Sequence, residues 1–113
     1  ILRNGKWSLL ECIPAWEGNN TWDSFIAFAW EGTDENRVLV CVNFSPHAGQ
    51  CYVRLGFPEL TGKQWRLEDL MGEENYDRDG DDLMRGGLYL DIRGWKYHVF
   101  EMKILKKKMT HNL

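Results

Sequence analysis

Short apolar stretches separated by turn residues recur roughly every eight to twelve positions along the chain, the signature of an antiparallel sandwich or barrel. Trp7 to Glu11 reads as a first strand, ended near Pro14, and Ser24 to Glu31 as a second, stopped by Gly32-Thr33-Asp34-Glu35-Asn36. Arg37 to Phe44 is almost wholly apolar, so both of its faces are expected to be covered and the strand to be central. The loop Ser45-Pro46-His47-Ala48-Gly49 leads into Cys51 to Leu55. Gln64 to Leu70 follows the turn Thr61-Gly62-Lys63 and ends by Gly72. Leu88 to Ile92 alternates, with Leu88, Leu90 and Ile92 on the inward face. Trp95 to Ile104 is the last strand, with Trp95, Tyr97 and Val99 opposing His98, Phe100 and Met102. No window holds an apolar stripe at helical spacing. The expected fold is all-β, an antiparallel β-sandwich of about seven or eight strands with essentially no helix and with Val38, Val40, Val42, Leu88, Leu90 and Val99 in its core.

At 113 residues the chain is one domain, 1–113, with a core over about 7–102 and a basic tail over 103–113. A multi-domain enzyme, a doubly wound sheet or a (β/α)8 barrel does not fit in it. A composition 43% hydrophobic and 27% charged is that of a folding globular chain. The net charge of −3 argues against a nucleic-acid partner, which requires a basic face. Six acids between residues 73 and 82 read as a solvated loop, and Lys103, Lys106, Lys107 and Lys108 as a frayed end. No apolar run reaches the length of a membrane span, so a soluble chain with no membrane partner is expected. The chain opens on Ile1, straight into a Trp-containing pattern, from which a fragment of a longer protein is expected. Cys12, Cys41 and Cys51 leave at least one thiol unpaired and show no CxxC spacing, so a reducing, cytoplasmic compartment is the default and Cys41 reads as a small buried hydrophobe.

Candidate chemistry is sparse. Asn75-Tyr76-Asp77-Arg78-Asp79-Gly80 matches the first six positions of a calcium loop, but Gly86 stands where a bidentate Glu is required, so a turn at Asp79-Gly80 is the better reading and no metal is expected. Glu68 and Asp69 are neighbours on one strand, pointing to opposite faces, and cannot flank a glycosidic bond. None of His47, His98 and His111 sits in a Ser or Cys elbow, and His98 reads as a hydrogen-bonded structural histidine. No glycine-rich phosphate loop occurs, and no cofactor or catalytic residue is expected. Among the six tryptophans, Trp7, Trp30, Trp65 and Trp95 fall on strands and read as packing residues. Trp16 and Trp22 bracket the polar loop Glu17-Gly18-Asn19-Asn20-Thr21 and are the candidate sugar-stacking pair.

The run Val38-Leu39-Val40-Cys41-Val42-Asn43-Phe44-Ser45 resembles the central strand of the C-terminal β-domain that follows the catalytic barrel in α-amylase-family (family 13) glycoside hydrolases. So do Gly62-Lys63-Gln64-Trp65-Arg66-Leu67-Glu68-Asp69-Leu70, Tyr76-Asp77-Arg78-Asp79-Gly80-Asp81-Asp82-Leu83, Gly87-Leu88-Tyr89-Leu90-Asp91 and Trp95-Lys96-Tyr97-His98-Val99-Phe100-Glu101. The upstream Phe25-Ile26-Ala27-Phe28-Ala29-Trp30 looks like the preceding strand, so the resemblance spans about residues 7 to 102. It implies a non-catalytic accessory domain that packs on the (β/α)8 barrel of its parent chain, with no active site of its own. The alternative is a carbohydrate-binding module for starch or glycogen, using Trp16 and Trp22 on α-glucans.

Overall fold

A computed structural model describes residues 5–32 and 37–107, with the side chains of Lys106 and Lys107 outside the description. The turn expected after Gly32 lies outside the described residues, as do Lys108 and His111. Nine strands occur among them: β1 (Lys6–Leu10), β2 (Cys12–Pro14), β3 (Phe25–Glu31), β4 (Arg37–Asn43), β5 (Gly49–Val53), β6 (Lys63–Asp69), β7 (Asn75–Asp79), β8 (Leu88–Ile92) and β9 (Tyr97–Lys107). Six form one sheet in the order β1-β3-β4-β9-β6-β7, three form another in the order β2-β5-β8, and every pairing is antiparallel. The fold is an all-β sandwich.

β4 occupies the middle of the large sheet, as its apolar run requires, but its facing is the reverse of the expectation. Arg37, Leu39, Cys41 and Asn43 point inward and are buried, while Val38, Val40 and Val42 point outward and are half-exposed. Val99 pairs with Val40 and faces outward with it, so the inward residue of β9 is Phe100. The core gathers Leu39, Phe100, Leu67 and Trp65 from the large sheet against Cys51, Val53, Leu88 and Leu90 from the small one. Leu88, Leu90 and Ile92 are buried as their alternation indicates. Arg37 is tolerated inside because it pairs with Glu59 and Glu31 and lies 5.1 Å over the Phe57 ring.

Three further expectations are corrected. The acidic stretch is β7 followed by a short helix, α1 (Gly80–Gly86), because β6 offers β7 an edge and Asp79 caps the helix by accepting the Asp81 N–H at 3.1 Å. Asp79-Gly80 is therefore a strand-to-helix junction, and glycine is required there: a Cβ at position 80 would meet the Leu60 carbonyl oxygen at 1.6 Å. Of the basic tail, residues 103 to 107 continue β9 along β6, and Lys103 pairs with Glu68 at 2.9 Å. The four strand tryptophans divide. Trp65 is core and donates to the Leu60 carbonyl, and Trp30 is buried on the outer side under Gly5 and Gly32. Trp7 and Trp95 are exposed.

The two sheets are tied at one end by the side chain of Asn43, fully buried. Its Nδ2 donates to the carbonyls of His47 at 2.8 Å, Ile92 at 3.0 Å and Arg93 at 3.3 Å, and its Oδ1 accepts from the Ser24 hydroxyl at 2.9 Å.

Two outcomes follow in urea denaturation. Leu39→Ala costs about 2–5 kcal/mol and Val40→Ala about 1 kcal/mol, since only the first empties the core; equal losses would contradict the facing of β4. Asn43→Ala costs roughly 3 kcal/mol, because it strips the partners from several buried polar groups at once.

Candidate functional site

The polar cluster with the most defined geometry forms where β6 ends against the start of β9. The Asp69 N–H donates to the Glu74 carbonyl at 2.9 Å, closing a short hairpin that carries the chain back along β6 and sets the Tyr76 ring 5.5 Å from that of Phe100 on β9. Asp69 lies on the inward face and His98 is the inward residue two positions before its partner Phe100. Asp69 Oδ1 accepts the backbone N–H groups of Met71 at 3.1 Å and Val99 at 3.4 Å, and Oδ2 lies 2.7 Å from His98 Nδ1. A carboxylate only accepts, so Nδ1 carries the proton of this bond and Nε2 is the ring nitrogen turned toward Glu74. That Nε2 lies 3.8 Å from Glu74 Oε1, to which the Tyr76 hydroxyl donates. The imidazole stacks on Phe100 with centroids 4.9 Å apart and meets Tyr76 edge-on at 6.5 Å.

Burial acts to raise the Asp69 carboxyl, but the hydrogen bonds from His98, Met71 and Val99 together outweigh it and hold the group below its ordinary value. The Tyr76 phenol is pushed up to about 12, by burial and by the Glu74 carboxylate that its hydroxyl serves.

Glu74, Tyr76 and His98 form one wall of a cavity of about 390 Å³. The other wall is Asp91, Ile92, Arg93, Lys96 and Tyr97, from the end of β8 and the turn into β9. That turn is set by Asn43 and by Trp95, whose φ of 59° is left-handed and whose N–H is shared between the carbonyls of Asn43 at 3.1 Å and Ser45 at 2.9 Å. A tryptophan held at positive φ is a backbone cost, and the residue is 62% exposed. Among the described residues no Ser, Thr or Cys lines the cavity. Glu74 and Asp91 share the cavity, with Asp91 engaged by Gln50 Nε2 at 3.1 Å. The donor set of an imidazole, a carboxylate and a phenol suits ligand or metal binding.

The sequence-derived candidates lie elsewhere. Trp16 is exposed, whereas Trp22 is half-buried against the core and lines a separate pocket of about 170 Å³ with Leu9, Leu10, Cys12 and Phe25. The carboxylates of the calcium-like run do not converge: Asp77 pairs with Arg66 at 2.8 Å on the outer face, and Asp79 caps α1. Glu68 and Asp69 do face opposite ways, one to Lys103 and one to His98. Cys12, Cys41 and Cys51 are all free thiols, and burial pushes the Cys41 thiol up to about 12. His98 is hydrogen-bonded as expected, but the grouping of Asp69, Glu74, Tyr76 and His98 was not foreseen; its sequence trace is an acid-rich hairpin, with nothing to mark its proximity to residue 98. No family model matches the chain, and no curated protein matches it. No helix among the described residues is long and apolar enough to cross a membrane.

Since Asp69 is held below its ordinary value, its carboxylate contributes stability that is present above the usual carboxylate range and is lost as pH falls through the folded value. Asp69→Asn therefore costs about 1–3 kcal/mol at pH 7, and the deficit shrinks below about pH 4. Urea titrations at pH 7 and pH 3 check this; an equal deficit at both would remove the charged form from the account.

Proposed function

We propose that this chain is a non-catalytic accessory β-domain of an α-amylase-family enzyme, which packs through the outer face of its large sheet against the catalytic barrel of the same polypeptide. The observation that carries the reading is the division of that face. Leu9, Phe28, Val40 and Val99 form one cross-strand apolar row, and Ile26, Val42 and Tyr97 form the next. Leu9 is 71% exposed and Tyr97 47%. From the later part of β9 across β6 and β7 the same face turns ionic, with Glu68, Glu101 and Lys103 in one group and Arg66 paired to Asp77. A contiguous apolar half beside a charged half is the pattern of a docking surface with a rim. The occupant is assigned from the resemblance of six ordered segments to the C-terminal domains of family 13 enzymes.

A starch- or glycogen-binding module, the other reading, needs a platform of free rings. Trp16 offers one ring, while Trp22 is engaged with the core. Docking is therefore the better supported role, with α-glucans bound at most weakly.

The gene sequence upstream of the codon for Ile1 is the first test: a barrel with family 13 motifs supports the reading, and its absence overturns it. In that longer polypeptide, Leu9→Lys with Phe28→Lys lowers the melting temperature by roughly 3–8 °C, while Glu68→Gln on the ionic half leaves it within about 1 °C. The domain alone gives no turnover of starch, glycogen or maltooligosaccharides; activity lost on replacing Glu74 or Asp91 would make it an enzyme instead.

A further inference from the structure

We propose that His98 and Glu74 bind a divalent transition-metal ion of the zinc class at the cavity wall, with Asp69 as the positioning residue. The ligand atoms of Asp69, Glu74 and His98 all lie within 4.8 Å of one another. They are not equivalent. Asp69 spends both oxygens on Met71, Val99 and the Nδ1 proton of His98, so it fixes the ring and leaves Nε2 as the donor. A carboxylate holding the far nitrogen of a ligating imidazole is the usual support of a metal-bound histidine. Nε2 and Glu74 Oε1 are 3.8 Å apart, so an ion about 2.1 Å from each fits between them at an angle of roughly 130°. The Glu74 side chain is 55% exposed and has room to swing toward a closer geometry, while the Tyr76 hydroxyl restrains its carboxylate. The cavity supplies space for water at the remaining positions. Around it, three carboxylates (Asp69, Glu74, Asp91) stand against two cations (Arg93, Lys96), a balance that favours a cation over an anion. The imidazole donor selects zinc-like ions over calcium and magnesium. The ligands His98 and Glu74 lie off the apolar rows of the outer face and outside the calcium-like run of residues 75 to 80.

The experiment is calorimetric titration of the chain with Zn²⁺, with Co²⁺ absorption and imidazole nitrogen resonances as spectroscopic readouts. Expected are one equivalent with a Kd of roughly 1–50 µM, a Zn²⁺-dependent shift of His98 Nε2, and no displacement by equimolar Ca²⁺ or Mg²⁺. His98→Ala abolishes this binding, Glu74→Gln weakens it at least about tenfold, Asp69→Asn weakens it roughly 10–100-fold, and His47→Ala leaves it unchanged. Should His98→Ala fail to fold, the His98 resonance in the unaltered chain decides the question. The proposal is overturned by no binding at 0.2 mM Zn²⁺ (about four times the weakest Kd expected), by a shift at His47 or His111 in place of His98, or by affinity that survives both His98→Ala and Glu74→Gln.

Discussion

A single buried amide holds the two sheets in register at one end of the sandwich. Asn43 ends the central strand of the large sheet, yet its side chain reaches the last carbonyl of β8 in the small sheet and the first carbonyl of the turn beyond. Its backbone completes the junction, with the N–H donating to the Lys96 carbonyl and the carbonyl accepting from Trp95. An amide without partners in a dry interior costs several kcal/mol, so the site tolerates one arrangement of the surrounding loops. The left-handed backbone at Trp95 is a consequence: the turn must bend back to satisfy Asn43. The cavity wall of Arg93, Lys96 and Tyr97 is placed by the same bonds.

Strand positions were legible because alternation and turn residues are local signals, and seven of the nine strands lie where the pattern puts them. The facing of β4 was not. In a run apolar at every position the phase carries no information, and the polar residues at its ends mislead. Arg37 and Asn43 share the inward phase with Leu39 and Cys41, each rescued by a partner distant in sequence: Glu59 for the arginine, Ile92 and Arg93 for the asparagine. A reading that sends valines inward and polar groups outward therefore inverts the strand. Both faces of β4 were expected to be covered; among the described residues only the inward one is, and Val38, Val40 and Val42 are left half-exposed.

The remaining misses have a common cause, which is that charge was read as solvation. Residues 73 to 82 look like a loop by composition, but five of the six acids have a structural use: Glu74 for Tyr76, Asp77 for Arg66, Asp79 for α1, Asp81 for the Gly62 N–H and Asp82 for Arg85. The pairing of Asp69 with His98 joins residues 29 apart and depends on the order β9-β6-β7, which no local pattern encodes. Glu68 and Asp69 face opposite ways, as neighbours on a strand must, whereas no local pattern places Glu74 and Asp91 in one cavity.

Tyr97 connects the two surfaces that carry chemical interest. It belongs to the outer apolar row with Ile26 and Val42, and it also lines the cavity that His98 enters from the other side of the strand. Successive residues of β9 thus serve opposite faces, as the pleat dictates. A domain seated on the apolar rows would stand at the cavity's edge and narrow its access, since Tyr97 is half-exposed and forms the boundary between them. The ring of Tyr97 belongs to both surfaces, so a protein seated on the apolar rows would also bear on the mouth of the cavity.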